Sequence, residues 1–383
     1  MKIAIDARML QYSRVGISVY VENLILNLVK NFKDIELHLI FAKNLKTLNI
    51  FDKYENIKSY YVAPSYSEYF KRELWEFKNL AQFLDSIDVD LYHSPNYYLP
   101  YIVKPKVPMV VTMYDASLFA VPQYYKFFHK FLGKIHIYFS SKVATRFIFG
   151  SAHAKSEFVK YLGKNIVNKG TYIYIGLPNE INNQNEIKSE SIQISKEKYN
   201  IKDKYIIAIG SVHPRKNYER LIEAMSDERL QDYTLVICGS IAWKSDSVFE
   251  KIKKLNLEKR VIITNYIETE DMQNLLSGAE LMAYPSFYEG FGIPPLEAFA
   301  YNIPVVTSNT SSIPEVVGDA AVLFNPFDVK DMSDKIINVL NSNDLKTDLI
   351  AKGKERLNFF SWDKCAKEHM NIYLEALKEK RGL

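Results

Sequence analysis

A chain of 383 residues with 48% apolar and 14% aromatic residues is long enough for two or three domains with ordinary cores, which excludes extended disorder. Its two cysteines, Cys238 and Cys365, lack metal-ligand spacing and read as reduced structural thiols. No run approaches a membrane span, and MKIAIDARML is too short and too charged for a signal peptide, so the expectation is a cytoplasmic protein, soluble or peripheral on the inner face of the membrane. The net charge of +4 hides an asymmetry: residues 1–178 carry 23 Lys and Arg against 14 Asp and Glu, the remainder 26 against 31. A basic first half without a nucleic-acid motif suits an anionic membrane surface or a phosphate-bearing substrate.

Lys2 to Asp6 reads as a buried strand, followed by a turn with Arg14 and Gly16 and by the helix pattern from Val19 to Leu28. Strand, glycine turn and helix N-terminus can cradle a diphosphate, although a plain strand-to-helix turn has the same signature. Glu36 to Phe41 and Ile57 to Val62 read as strands and Leu74 to Leu84 as a helix. Val89 to Tyr92 and Met109 to Met113 read as strands that deliver His93 and Tyr114-Asp115 to one rim. His93 reads either as a packed, hydrogen-bonded residue or as an acceptor-site group. No acidic residue occurs from Ala116 to Ser156, where Lys126, Lys130 and Lys134 fall four apart on a helical face beside Phe127, Phe128 and Phe131. This is either an ordinary helix with a solvated lysine stripe or one that meets anionic headgroups and the bilayer interface. Phe147 to Ser151, Ala154 to Leu162 and Thr171 to Ile175 read as strand, helix and strand, closing a first domain, and the polar stretch 179–200 reads as a linker.

Tyr205 to Gly210 is a strand running into Ser-Val-His-Pro-Arg-Lys-Asn. Arg215 and Lys216 there could neutralise a diphosphate, although an Arg-Lys pair is more often solvated surface. Tyr233 to Gly239 and Val261 to Ile267 read as strands and Asp271 to Leu276 as a helix. The densest chemistry lies from Leu281 to Asp319: a strand to Pro285, a loop, a helix with Pro294 and Pro295 in its first turn, and a strand at Val305 to Thr307. In a parallel sheet such a loop sits at the carboxyl ends of the strands, where ligands bind. Gly290 and Gly292 let backbone N–H groups approach an anion closely. Glu289 and Glu297 bracket the loop. Glu297, placed in the first helical turn, is explained by the macrodipole alone, whereas Glu289 would project into the crevice and accept from sugar or ribose hydroxyls. Lys330 to Leu340 and Trp362 to Lys380 read as helices.

The run SFYEGFGIPPLEAFAYNIPVVTSNTSSIPEVVGDAAVLFNPFD, Ser286 to Asp328, resembles the nucleotide-sugar motif of the family-4 retaining glycosyltransferases of the GT-B fold, and the chain resembles bacterial surface-polysaccharide mannosyltransferases. The resemblance implies an α/β chain of two Rossmann-like domains facing a central cleft: 1–178 on the acceptor side, 179–200 as linker, 201–360 for the nucleotide-sugar, and 361–383 as a helix returning to the first domain. It implies that Glu289 contacts the donor sugar, Glu297 the ribose, and Arg215 and Lys216 the diphosphate. Gly16, Gly290, Phe291 and Gly292 would line the diphosphate, and Tyr266 and Ile267 the nucleobase. Asp115 matches the second residue of a His-Asp pair, but Tyr114 replaces the histidine, and Ser18 replaces a second glycine common after Gly16. The implied reaction is transfer of a hexose, with retention, from a nucleoside-diphosphate sugar, GDP-mannose favoured, to a lipid-linked glycan in surface polysaccharide assembly. Neither metal nor cofactor is called for. The alternatives are a UDP-sugar-dependent transferase, an epimerase or phosphorylase of the same fold, and an inactive nucleotide-sugar-binding subunit that supports a partner transferase.

Overall fold

The computed structural model describes all residues except 13–15, 44, 178–186, 203, 243–244 and 383, so Arg14 and the first part of the expected linker lie outside the described residues. The chain divides into two compact units, Met1–Pro178 with Phe360–Leu383, and Asn179–Phe359.

The first unit is a sheet of β1 (Lys2–Asp6), β2 (Glu36–Ala42), β3 (Ile57–Ala63), β4 (Leu91–Ser94), β5 (Met109–Met113), β6 (Arg146–Phe149) and β7 (Gly170–Tyr172). All neighbours are parallel and the order is β3-β2-β1-β4-β5-β6-β7. The second unit has β8 (Lys204–Ile209), β9 (Tyr233–Cys238), β10 (Val261–Ile263), β11 (Leu281–Tyr284), β12 (Val305–Ser308) and β13 (Ala321–Phe324), also all parallel, in the order β10-β9-β8-β11-β12-β13. The near-continuous burial of β1 and β8 is what strands covered by helices on both faces require. In each sheet the order reverses once, between β1 and β4 and between β8 and β11. At such a switch point the loops leaving neighbouring strands diverge and open a crevice.

Four expectations are corrected. The strand expected from Val261 to Ile267 ends at Ile263, because Asn265 takes a left-handed conformation (φ 60°) that ends the ladder. The helix expected from Leu74 to Leu84 is interrupted by one π turn, Trp75–Asn79. Within the expected linker, Ser189–Lys198 is a helix of the second unit: Ser195 Oγ donates to Asp271 Oδ1 at 2.9 Å and accepts from Asn274 Nδ2 at 3.0 Å. A helix at Asn343–Leu357 was not foreseen, since only Leu349 and Gly353 of it are buried. It supports the helix Ile293–Ala300 by close approach: a Cβ at Gly353 would come within 2.9 Å of the Phe299 ring.

The helix Trp362–Arg381 packs on the helix Gly16–Asn31 within the first unit. A buried hydrogen-bonded chain joins it to the sheet. The Cys365 carbonyl can only accept, so His369 Nδ1 donates to it at 2.7 Å and His369 Nε2 accepts from the Tyr20 hydroxyl at 2.6 Å. Tyr20 then accepts from Thr112 Oγ1 at 3.1 Å, Thr112 accepts from His93 Nε2 at 2.8 Å, and His93 Nδ1 accepts from the Tyr373 hydroxyl at 2.8 Å. Every polar group in the chain is satisfied only if both imidazoles are neutral. Burial pulls His93 well below the usual range, with the neighbouring His369 adding to the effect, and burial pulls His369 down to about 4.

A histidine held neutral in the fold and free to protonate when unfolded stabilises the protein fully above about pH 6.5 and loses that contribution as pH falls toward 4. Denaturant melts of the first unit are expected to weaken progressively over that window, by on the order of 3 kcal/mol for His369. Tyr373→Phe is expected to cost about 1 kcal/mol at pH 7, since it leaves His93 Nδ1 without its donor. Equal melting midpoints at pH 7 and pH 5 would contradict this assignment.

Candidate functional site

The site is built at the switch point of the second unit. Beyond β8 the chain passes Gly210, whose φ of 139° suits only glycine and where a Cβ would lie 3.0 Å from Lys216 Cε. The absent side chain is what lets Lys216 fold back over the strand end. Pro214–Lys216 then forms a single 3-10 turn, capped by His213, whose Nδ1 accepts from the Arg215 amide at 3.2 Å. Asn217 follows in a left-handed conformation (φ 59°), with its buried Nδ2 donating to the carbonyls of Pro285 at 3.0 Å and Pro326 at 2.8 Å. That one side chain ties the loop after β8 to those after β11 and β13.

This arrangement brings three of the expected residues into direct contact. Arg215 Nη1 donates to Glu289 Oε2 at 2.9 Å and to the Tyr288 carbonyl. Lys216 Nζ donates to Glu289 Oε1 at 2.7 Å and to the Tyr284 hydroxyl at 3.0 Å. Glu289 is only 7% exposed. Burial alone would push its carboxyl up, but Lys216 and Arg215 outweigh burial and hold it down at about 2. Burial also lowers Lys216, against the pull of Glu289. Two cations face one carboxylate, so the cluster keeps one positive charge in surplus for an anion.

The loop is braced from β12. The Glu289 amide donates to Ser311 Oγ at 2.9 Å, and Ser312 Oγ donates to the carbonyls of Glu289 at 2.9 Å and Phe291 at 3.0 Å. Ser308 Oγ donates to the Ser286 carbonyl at 2.6 Å. These hydroxyls, with His213, Asn217 and Tyr284, are functional supports that sequence reasoning missed. The available signal was the run Thr307-Ser308-Asn309-Thr310-Ser311-Ser312, whose side chains are short enough to bond a neighbouring backbone.

Gly292 caps the helix Ile293–Ala300 with a φ of 110°, a conformation a larger residue adopts only under strain, and Gly290 and Phe291 lead into it. The helix starts at Ile293, so Glu297 falls in its second turn rather than the first. The macrodipole, which fades within one turn, therefore does not account for it. The half-buried Glu297 carboxyl has no hydrogen-bond or ion-pair partner among the described residues, and burial raises it to about 7. Tyr266 and Ile267 follow the edge strand β10. Tyr266 is 73% exposed, and no hydrogen bond joins either residue to the cluster among the described residues.

Gly16 and Asp115 belong to the other unit. Gly16 opens its helix exposed, and a Cβ there would meet nothing within 4 Å. Asp115 Oδ1 accepts from the Ser117 amide at 2.8 Å, while its own amide donates to Tyr97 Oη at 3.2 Å. Tyr114 donates to the Pro95 carbonyl at 2.7 Å and its ring meets Tyr20 edge-on at 5.2 Å, so its hydroxyl and ring are both committed to the packing. His93 is fully buried with both ring nitrogens bonded, which is the packed arrangement of the two considered.

Two such Rossmann-like units in one chain are the architecture of the GT-B fold. WaaG, a glycosyltransferase involved in lipopolysaccharide biosynthesis, has the same architecture, with a TM-score of 0.73 at 15% identity over 97% of this chain and 99% of that one. Residues 190–356 match the family described as Glycosyl transferases group 1. The chain is 29% identical to O-antigen chain mannosyltransferase B of Escherichia coli, across 79% of this chain and 77% of that protein. It is 33% identical to O-antigen chain mannosyltransferase RfbU of Salmonella typhimurium, across 40% and 41% respectively. Residues 190–356 thus carry a glycosyltransferase domain of the family-4 type, and the chain is similar to bacterial mannosyltransferases.

A carboxyl raised by the fold favours the folded state most below its unfolded pKa and becomes a penalty as pH rises through about 7. Glu297→Gln is therefore expected to raise stability at pH 8 by on the order of 2 kcal/mol and to leave it nearly unchanged at pH 4, below the carboxyl's unfolded pKa. Thermal melts of both proteins at the two pH values measure this, and a variant less stable than its parent at pH 8 would contradict the partnerless carboxyl.

Proposed function

We propose that the protein transfers a hexose, with retention of anomeric configuration, from a nucleoside-diphosphate sugar to a lipid-linked glycan during surface polysaccharide assembly. The observation that carries this reading is the Arg215–Lys216–Glu289 cluster, with its surplus positive charge, at the switch point of the second unit. Arg215 would fork onto diphosphate oxygens and Lys216 would add a point charge, so that charge developing on the leaving diphosphate is met by groups already desolvated. No metal or cofactor enters this reading. The amides around Gly290, Phe291 and Gly292, at a helix N-terminus, would complete the cradle, and Gly16 is a further candidate for contact with the diphosphate. Glu297, lacking a partner of its own, would accept from the ribose hydroxyls, and Tyr266 and Ile267 would border the base.

Glu289 has each carboxylate oxygen on a cation at 2.7 or 2.9 Å, which favours a role in placing the sugar over one as nucleophile. The diphosphate would then take the acceptor's proton as the new bond forms on the face it leaves. Asp115 would lie on the acceptor side. GDP-mannose is the favoured donor because the similar E. coli and Salmonella proteins are named mannosyltransferases. Lys126, Lys130 and Lys134 would hold the protein peripherally on the inner face of the cytoplasmic membrane. A UDP-sugar donor is the second reading: the solved structure of Anabaena HepE with UDP-glucose has a TM-score of 0.70 at 17% identity over the whole of both chains.

The test is turnover of GDP-mannose, UDP-glucose and UDP-galactose with lipid-extracted glycans, followed by NMR of the product. An α-linked product from GDP-α-mannose is expected, with Arg215→Ala lowering kcat roughly a hundredfold. An inverted linkage would contradict the mechanism, and full activity in Arg215→Ala would contradict the site.

A further inference from the structure

The turn that carries Arg215 and Lys216 cannot hold itself. Pro214–Lys216 is a single 3-10 turn, too short for cooperative helical stability, and it sets two cations side by side. Asn217 follows at the N-cap of the helix Tyr218–Ala224, where an asparagine oxygen ordinarily accepts from an amide two or three residues on. Here the side chain makes no such bond. Its Nδ2 is committed to the Pro285 and Pro326 carbonyls, and its Oδ1 accepts instead from Arg220 Nη1 at 3.4 Å. The guanidinium of the third helical residue takes the place that the amide of that same residue fills in an ordinary cap. With both ends of the Asn217 amide engaged, only one orientation of it matches donors to acceptors.

Arg220 reaches the same loops by a second route. Its guanidinium carbon lies 5.2 Å from the centre of the Phe287 ring and 6.0 Å from that of Phe327, and the two rings stack at 4.9 Å with 23° between their planes. Phe287 belongs to the loop after β11, two residues before Glu289, and its amide donates to the Arg215 carbonyl at 2.9 Å. Phe327 follows Pro326 in the loop after β13, where its amide donates to Asn325 Oδ1 at 3.0 Å. The Phe327 side chain is 62% exposed, so what orders its ring is the stack beside a cation rather than burial. The loops after β8, β11 and β13 are joined twice, by the Asn217 amide and by the cation–aromatic stack, and Arg220 is common to both.

We propose that Arg220 is a positioning residue of the anion-holding cluster: through Asn217 and the Phe287–Phe327 stack it fixes the turn of Arg215 and Lys216 against the loop of Glu289. Its effect on a ligand rests on the transferase reading, which takes the cluster to hold a nucleoside diphosphate. Arg220→Met keeps the apolar stem and removes both the charge and the donor. Hydrogen exchange read by mass spectrometry, on the protein alone, should show residues 213–217 and 286–289 exchanging about tenfold faster in this variant. The amides that report are those of Lys216, Asn217 and Phe287, bonded to the carbonyls of His213, Pro214 and Arg215.

Calorimetric titration with GDP, UDP and ADP should show Arg220→Met holding the bound nucleotide about tenfold more weakly than the parent. Arg220→Lys keeps a cation near the rings and a donor for Asn217, and should regain most of that affinity. Phe327→Leu should weaken binding as well, and the double variant with Arg220→Met should lose less than the product of the two single effects, because the two residues share one stack. Arg229→Met breaks ion pairs with Asp227 and Asp334 in the same unit, and should lower the melting temperature without changing affinity. Parent-like exchange and affinity in Arg220→Met, independent effects in the double variant, no rescue by lysine, or an equal loss of affinity in Arg229→Met would overturn the proposal. A parent that binds no nucleoside diphosphate, with exchange responding as stated, would sink the transferase reading and leave the positioning role standing. Nucleotide binding indifferent to Arg220 would do the reverse.

Discussion

A carboxylate that is 7% exposed cannot stay ionised unless its surroundings replace the water it has lost, and in the second unit everything around Glu289 serves that replacement. Two cations supply the charge, from a turn that exists because Gly210 lets Lys216 double back and Asn217 anchors the next residue to two other loops. Serine hydroxyls from the loop after β12 satisfy the carbonyls that the Glu289 loop leaves unpaired. The outcome is a desolvated, net positive and rigid cluster at the carboxyl ends of the strands. Such a cluster is costly in an empty protein and well suited to an anion whose charge grows during a reaction.

The first unit solves burial of polar groups in the opposite way. Its chain of Tyr373, His93, Thr112, Tyr20 and His369 carries no charge, and each of the four members after Tyr373 donates once and accepts once. The directionality comes from one backbone carbonyl at the end of the chain, so the helix Trp362–Arg381 is fastened to the sheet by polar contacts that tolerate only one protonation state. Elsewhere the same unit does bury charge, where Arg8 holds Asp6 and Glu76 and supports the ring of Tyr66.

Much of this was legible in the sequence because parallel strands buried on both faces read as apolar runs. β1, β2, β5, β8, β9 and β11 were found at or near their observed positions. Arg215, Lys216 and Glu289 were legible as candidates because charged residues immediately after such runs must lie at the strand ends, and the structure brings the three together. What could not be read was where an element ends for a purely conformational reason. Asn265 stops a strand by its φ, and helix Ile293–Ala300 begins one residue before Pro294, which moved Glu297 out of the first turn. The helix Asn343–Leu357 buries too little to leave an apolar stripe.

The central claim is that Arg215, Lys216 and Glu289 form the anion-holding part of a nucleotide-sugar site. Calorimetric titration of the protein with GDP, UDP and ADP, repeated on a double variant of Arg215→Ala and Lys216→Ala, tests it most directly. The account predicts selective binding of one nucleoside diphosphate and loss of that heat in the double variant. Failure of all three to bind, or undiminished binding by the double variant, would contradict it.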